Sequence, residues 1–216
     1  MKINSISSQS FGALPVSQIR VKGIDSLYKL YDATSLKDNE FLNELYMKIN
    51  LSELMPDLSE KQLHTWDTMF RHSSVITDDD CKILLETCND VPCGILNYNR
   101  PRGIFHVNYA VTLPDRFNQR VPCAGQVMFN ELFRRFAKSD ANKIELIAMS
   151  RGPFNPVTKY LDMGFNIISG DFLSEFMRAY RTDIAKTLAK QNEFIDVKYI
   201  KDAEDVELGK IIKLQA

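Results

Sequence analysis

Residues 105–165 read FHVNYAVTLPDRFNQRVPCAGQVMFNELFRRFAKSDANKIELIAMSRGPFNPVTKYLDMGF. From Phe105 to Leu113, aromatic and branched residues alternate in the way a pleated strand favours. Pro114-Asp115 breaks that pattern. Beyond Pro122, Val127, Met128, Leu132, Phe133 and Phe136 recur at helical spacing. Arg134, Arg135 and Lys138 fall in the last turns of this helix, where cations complement its dipole. Lys143 to Ser150 forms a second strand. Asn155 caps a short helix with Pro156 at its first position, Gly164 closes it, and Phe165 to Ile168 forms a third strand. The small residues Cys123-Ala124-Gly125 open the long helix and leave its first N–H groups accessible to an anion, although many helices that bind nothing begin the same way.

Upstream, Leu14 to Val21 is predicted as a first strand, after a flexible Ser-rich tail over 1–13. Ile24 to Asn50 reads as helical, with Leu27, Leu30 and Tyr31 in one stripe, Phe41, Leu42, Leu45, Tyr46 and Ile49 in another, and a break at Ser35 to Asp38. Ser59 and Gln62 make a capping box, and Leu58 with Leu63 a hydrophobic staple, for a helix continued by Trp66 and Phe70. Trp66 at this spacing is a core residue before it is a ligand platform. Thr77 to Asp80 lacks the alternating carboxylates of a calcium loop and reads as a solvated turn. Cys81 to Cys88 and Val91 to Tyr98 form a hairpin about Asn89-Asp90, and Asn99 to Gly103 turns into the strand that follows. Downstream, Asp171 caps a helix over 171–191 carrying Leu173, Phe176, Met177, Tyr180, Ile184 and Leu188. Phe194 to Ile200 alternates as a last strand, and Asp205 to Leu214 has too little pattern to assign.

The chain has 216 residues, 44% of them hydrophobic, with 27 basic against 28 acidic residues. That is enough apolar mass for one sizeable core. The near-zero net charge argues against a dedicated nucleic-acid or anionic-membrane binder, which relies on clustered Lys and Arg. No apolar run approaches the ~18 residues that span a bilayer. The N-terminus lacks the apolar core of a secretory signal, so a cytoplasmic location is expected. Cys81, Cys88, Cys93 and Cys123 then read as reduced thiols, although Cys88 and Cys93 flank a turn that a disulfide could bridge. His64, His72 and His106 match no metal-ligand spacing, and no metal is expected. Nothing marks a boundary within residues 14–216, so one domain is expected there.

Strand, Arg120-x-x-Cys-x-Gly125, helix, strand, then Tyr160-Leu-Asp-Met-Gly164-Phe165 resembles the core of the GNAT superfamily of acyl-CoA N-acyltransferases. That family's pyrophosphate loop follows Q/R-x-x-G-x-G/A, and its last helix ends in Tyr-x-x-x-Gly-Phe. The resemblance covers about residues 82–169 and implies an α/β (α+β) fold. In it a mixed, mostly antiparallel central sheet is flanked by helices, with two parallel strands splayed around acyl-CoA. The helix over 171–191 would be an extra C-terminal element between the family's last two strands.

Carried over residue by residue, the resemblance implies that Arg120 and the backbone of Cys123, Ala124, Gly125 and Gln126 hold the pyrophosphate. Val111, Thr112 and Leu113 would pair with the pantetheine arm. Tyr160 falls on the family's tyrosine, a general acid toward the leaving thiolate, and a phenol with an ordinary pKa of ~10 stays protonated for that role. His106 lies near the family's base position, and an imidazole is a competent base at neutral pH. Glu145 and Asp115 are further carboxylate candidates. The activity implied is transfer of an acyl group, acetyl from acetyl-CoA, to a small-molecule or protein amine. A homodimer is compatible with the apolar stripe of the added helix. Cys123 stands where the family pattern has its first glycine, and the loop before it is about three residues longer than in the family. The alternative is therefore a non-catalytic GNAT-like module acting through protein contacts. A Cys123 nucleophile activated by the helix N-terminus, with His106 as its base, is a third reading.

Overall fold

Nine strands make one sheet in the computed structural model, which describes residues 12–33, 35–49, 51–75, 80–113, 120–151 and 155–212. Across the sheet they run β7 (Asn166–Gly170), β8 (Ser174–Tyr180), β6 (Lys143–Met149), β5 (Ile104–Thr112), β4 (Val91–Asn99), β3 (Lys82–Cys88), β2 (Leu27–Ala33), β1 (Leu14–Val21) and β9 (Ile195–Tyr199). Every neighbouring pair is antiparallel except β5 and β6, which run parallel. The helices are α1 (Leu36–Lys48), α2 (Leu51–Leu54), α3 (Glu60–Ser73), α4 (Ala124–Lys138), α5 (Val157–Asp162), α6 (Arg181–Gln191) and α7 (Leu208–Ile211).

Two cores lie on opposite faces of the sheet. One packs α4, α5 and α6 against strands from β1 to β8, with Phe133, Phe136, Leu84 and Met177 at its centre. The other packs α1, α3 and α7 against β2 to β5, with Phe41, Leu42, Phe70, Leu85 and Ile95. This second core contains no residue of β6, β7 or β8, so that part of the sheet has one bare face among the described residues.

Most elements follow their sequence signals. β1 spans the expected residues, Asn89 and Asp90 both take positive φ as a two-residue hairpin turn requires, and Ser59 and Gln62 form the expected reciprocal cap. α5 starts one residue later than expected, with Pro156 at its N-cap and Val157 as its first residue; Asn155 Oδ1 accepts from the Val157 N–H at 3.0 Å in a turn just ahead of it. Gly164, at φ +88°, closes it.

Two expectations are corrected. Leu27–Ala33 is a strand, not a helix. Tyr28 and Leu30 enter one core and Tyr31 and Ala33 the other, so apolar residues on both faces hide the alternation that marks a half-exposed strand. The expected break at Ser35 to Asp38 is the capping box of α1. The helix over 171–191 is also wrong in its first half, where Ser174–Tyr180 is β8, inserted between β6 and β7. The apolar set at 173, 176, 177 and 180 has helical spacing, but pairing on two sides makes the segment a strand with apolar residues on both faces. Asp171 caps no helix. Its Oδ1 accepts from the N–H groups of Leu173 and Ser174, both at 2.7 Å, and shapes the β7–β8 turn. Helix α6 begins only at Arg181, with Asp183 reaching back to the Tyr180 N–H.

The last strand, β9, pairs with β1 at the opposite edge from β7. Of the expected tail, residues 1–11 lie outside the described residues, but Ala13 is buried and exchanges backbone hydrogen bonds with Val206. Residues 77–79 of the expected acidic turn are also outside them.

Candidate functional site

The parallel pair β5 and β6 is in register only from Ile104↔Lys143 to Val107↔Leu146. Beyond those residues β5 continues to Thr112 and β6 to Met149 with no pairing between them, so the sheet opens into a V. The apex coincides with a bulge. Asn97 of β4 pairs with Tyr109 and Tyr98 with Val107, leaving Asn108 as the extra residue of β5. A bulge bends its strand and increases its twist, which turns β5 away from β6. Asn108 Nδ2 donates to Asn97 Oδ1 at 2.9 Å, and Asn97 is buried, also donating to the Val75 carbonyl. The bulge exchanges the faces of β5: Phe105 and Val107 enter the α4-side core, whereas Val111 and Leu113 enter the α3-side core.

One mouth of the V lies beside the start of α4. The Leu113 N–H is bonded to the Cys93 carbonyl at 2.8 Å, on the β4 side. By strand alternation Val111 also turns its N–H to β4, and of the three expected pantetheine partners only Thr112 presents its backbone to the open side. Thr112 meets the helix start: among the described residues, a Cβ added to Gly125 would touch only Thr112 Cγ2, at 3.7 Å, so none of them fills the space over Gly125. No side chain caps α4, and its first intrahelical bond runs from the Val127 N–H to the Cys123 carbonyl. The N–H groups of Ala124, Gly125 and Gln126 therefore lie ahead of the helical ladder, as an anion site needs. Arg120 is exposed nearby in sequence; residues 114–119 before it lie outside the described residues. This donor set and open cradle fit a pyrophosphate.

Cys123 adopts φ 58°, ψ 5°, a left-handed conformation that glycine takes without steric cost. Its side chain is half-buried and packs against the α4-side core. The Tyr28 hydroxyl fixes the preceding residue by donating to the Pro122 carbonyl at 2.5 Å. Burial, and then the nearby Glu86, push the Cys123 thiol pKa up, which is the wrong direction for an activated nucleophile. All four cysteines are free thiols.

Sequence reading missed Glu86. It is fully buried on β3, both carboxyl oxygens lack a hydrogen-bond partner of good geometry, and burial raises its pKa well above the usual carboxylate range. The Cys93 thiol lies beside it, and a Cβ on Gly94 would stand 2.7 Å from Glu86 Oε2 and from Met128 Sδ. Nothing in KILLETC marks this carboxyl as buried, because its cover is supplied by α4, forty residues away in the chain.

Tyr160, on α5, packs on the α4 side against Phe129 (5.5 Å between ring centroids) and Phe165 (5.8 Å). Burial pushes its phenol up to about 12. His106 lies on the other face of the sheet, between the inward-facing Phe105 and Val107 and in register with Glu145. Tyr160 and His106 thus lie on opposite faces of the sheet, His106 one residue before the last β5–β6 pair. Glu145 is held by Lys143 at 2.8 Å and Arg178 at 2.6 Å. Burial opposes ionisation there, but those two cations outweigh it and its pKa is lowered. Asp115 lies outside the described residues.

A shallow surface depression lined by Arg20, Lys22, Glu193 and Phe194 near the β1–β9 edge contains none of these residues. Among the described residues no cluster of His, Cys, Asp or Glu could hold a metal ion, and no helix is long and apolar enough to cross a membrane.

No protein-family model matches the sequence, and no curated protein matches it. Solved structures do match. FdhC, a nucleotide-linked sugar GNAT in its apo form, aligns at TM-score 0.53 and 15% identity over 76% of this chain and 94% of its own. An uncharacterized protein from Bacillus halodurans aligns at 0.52 and 11% identity over 77% and 91%. The PaiA N-acetyltransferase of Thermoplasma acidophilum, solved with coenzyme A, aligns at 0.48 and 13% identity over 70% and 98%. At these identities the likeness is one of fold, and the chain has the GNAT fold.

Proposed function

We propose that the chain is an acyl-CoA-dependent N-acyltransferase that moves an acyl group, acetyl from acetyl-CoA, onto a primary amine by direct attack. The observation that carries this reading is the V between β5 and β6, with the uncapped start of α4 at one mouth. Bound acetyl-CoA would supply the activated thioester. Arg120 and the N–H groups from Cys123 to Gln126 hold the pyrophosphate. Thr112 aligns the pantetheine through its backbone, and Val111 and Leu113 brace that wall of the cleft from the core beneath.

Tyr160 and His106 are the residues assigned to the proton transfers. The amine nitrogen forms the new C–N bond as the C–S bond breaks. His106 takes the proton that the amine loses, directly or through water, and Tyr160 gives one to the departing sulfur. With its pKa pushed up to about 12, the Tyr160 phenol is fully protonated at neutral pH, as a donor must be. The strands position the thioester, and a strand N–H polarises its carbonyl.

Calorimetric titration with acetyl-CoA, beside a thermal-shift scan, tests the reading. Ligand at 100 times Kd is expected to stabilise the protein by ~2.7 kcal/mol. Tyr160→Phe is expected to lower kcat by ~100-fold with acetyl-CoA affinity unchanged, and His106→Ala to depress the neutral-pH rate similarly. No binding at millimolar acetyl-CoA would assign the chain to the alternative, a GNAT-fold module that acts through protein contacts.

A further inference from the structure

Resting on the acyltransferase reading, we infer that the acceptor is a primary amine with an apolar body, seated against Ile147 on the bare face of β6. The inference starts from where Ile147 lies. β6 is an interior strand, flanked by β5 and β8. Ile144, Leu146 and Ala148 enter the core, so Ile147 projects from the opposite face, and there it is 65% exposed. It is also the first residue of β6 past the last pair with β5, Val107↔Leu146. An isoleucine left in water in the middle of a sheet, at the edge of the V, is unexplained by the fold itself.

Its surroundings continue the apolar surface. Phe176 is its cross-strand neighbour on β8. Across the V, Tyr109 follows the Asn108 bulge and stacks on His72 of α3, with ring centroids 5.1 Å apart and planes 16° apart. The α4 mouth holds the donors for an anion, which leaves this opposite mouth for the amine.

Charge decides the class. Among the described residues Glu145 is the carboxylate beside Ile147, and both Lys143 and Arg178 already bind it. Arg178 also lies over the Phe176 ring at 5.5 Å. This set is closed on itself, so it offers little to the second ammonium of a polyamine or the hydroxyls of an amino sugar, whereas Ile147, Phe176 and the Tyr109 ring offer contact to an alkyl or aryl group.

The experiment uses the full chain with acetyl-CoA and follows thiol release with 2-phenylethylamine, hexylamine, spermidine and glucosamine. The expected result is a kcat/KM at least ~10-fold higher for the first two, the size of discrimination an apolar subsite gives. Ile147→Glu is expected to raise the KM for 2-phenylethylamine ~10-fold or more while acetyl-CoA affinity and oligomeric state stay unchanged, and Ile147→Val to retain wild-type KM. Preference for spermidine or glucosamine, or an unchanged KM in Ile147→Glu, overturns the inference. A dimer in the wild type that Ile147→Glu dissociates also overturns it, by assigning this face to a second copy. Acetyl-CoA binding separates the two failures: if it binds and apolar amines are not preferred, only the acceptor assignment falls; if it does not bind, the acyltransferase reading falls too.

Discussion

The strands β2 to β5 and the arm formed by β6, β8 and β7 differ in how many of their faces are covered. In the first region adjacent residues point to opposite cores and both are sealed: Leu84 and Leu85 are each 0% exposed. In the arm the same alternation gives Leu146 at 2% and Ile147 at 65%. The arm is joined to β5 by four register pairs and otherwise by the aromatic cluster beneath it, where Phe129 and Phe133 of α4 meet Tyr160 and Phe165. A sheet covered on both faces resists opening. One covered on a single face can part at a bulge while its buried side stays packed, which is how this chain combines a stable core with a cleft.

The largest effect that would break this comparison is in the cluster. Phe133 is fully buried, and its ring centroid lies 6.1 Å from that of Phe165. Phe133→Ala is expected to cost ~3–5 kcal/mol in urea unfolding, from lost transfer energy plus a cavity. Ile147→Ala, on the bare face, is expected to change stability by less than ~0.5 kcal/mol. Comparable costs for the two would mean that the bare face is covered in solution.

A smaller, pH-dependent effect belongs to the doubly covered region. Because burial raises the Glu86 pKa, the folded protein retains a proton that the unfolded chain, with an ordinary value of ~4.3, gives up. The stability this protects is fully present below the unfolded pKa and declines as pH rises toward the folded one, by at most ~1.4 kcal/mol per pH unit. Glu86→Gln keeps the shape without the titration. Unfolding free energies measured between about pH 5 and 8 are expected to show the wild type losing ground to the variant as pH rises. Parallel profiles would mean that Glu86 finds a partner or water.

The same contrast governs what could be read in the chain. Local signals were legible because the residues that carry them act on their own backbone, as with Asn89-Asp90 in the hairpin, Ser59 and Gln62 at α3, and Asn155 and Gly164 around α5. The long stripe of α4 was legible because polar residues, Gln126, Asn130, Glu131, Arg134 and Arg135, interrupt its apolar ones at helical spacing, although most of the helix is buried. β2 was not, since both its faces are buried, and β8 was not, since Phe176, Met177 and Tyr180 fall on both of its faces at a spacing that reads as helical. At the candidate site, both flanking strands and the helix start were visible. The opening itself was implied only by the family resemblance and by no local signal, because the Asn108 bulge exists only through pairing with β4, and Glu86 becomes a buried acid only once α4 lies over β3. Non-local contacts place those features, and no short window of sequence contains them.

The smallest effect would sharpen the account of the loop at the mouth of the V. Cys123 holds a left-handed backbone, which costs an L-residue ~1–2 kcal/mol. Glycine removes that strain but brings back ~0.5–1 kcal/mol of unfolded-chain entropy, and here it also gives up the half-buried thiol packed against the core. Cys123→Gly is therefore expected to stabilise the protein by ~1 kcal/mol or less in urea unfolding. Its effect on affinity bears on function. The side chain packs inward, while Tyr28 and Pro122 fix the loop beside it, so the acetyl-CoA affinity measured by calorimetry is expected to change by less than ~3-fold, worth under ~1 kcal/mol. A tenfold gain would show instead that the thiol stands where the pyrophosphate needs to lie. The positive-φ backbone would then have been kept without the glycine that lets an anion approach it, and the non-catalytic reading would gain the physical reason it needs.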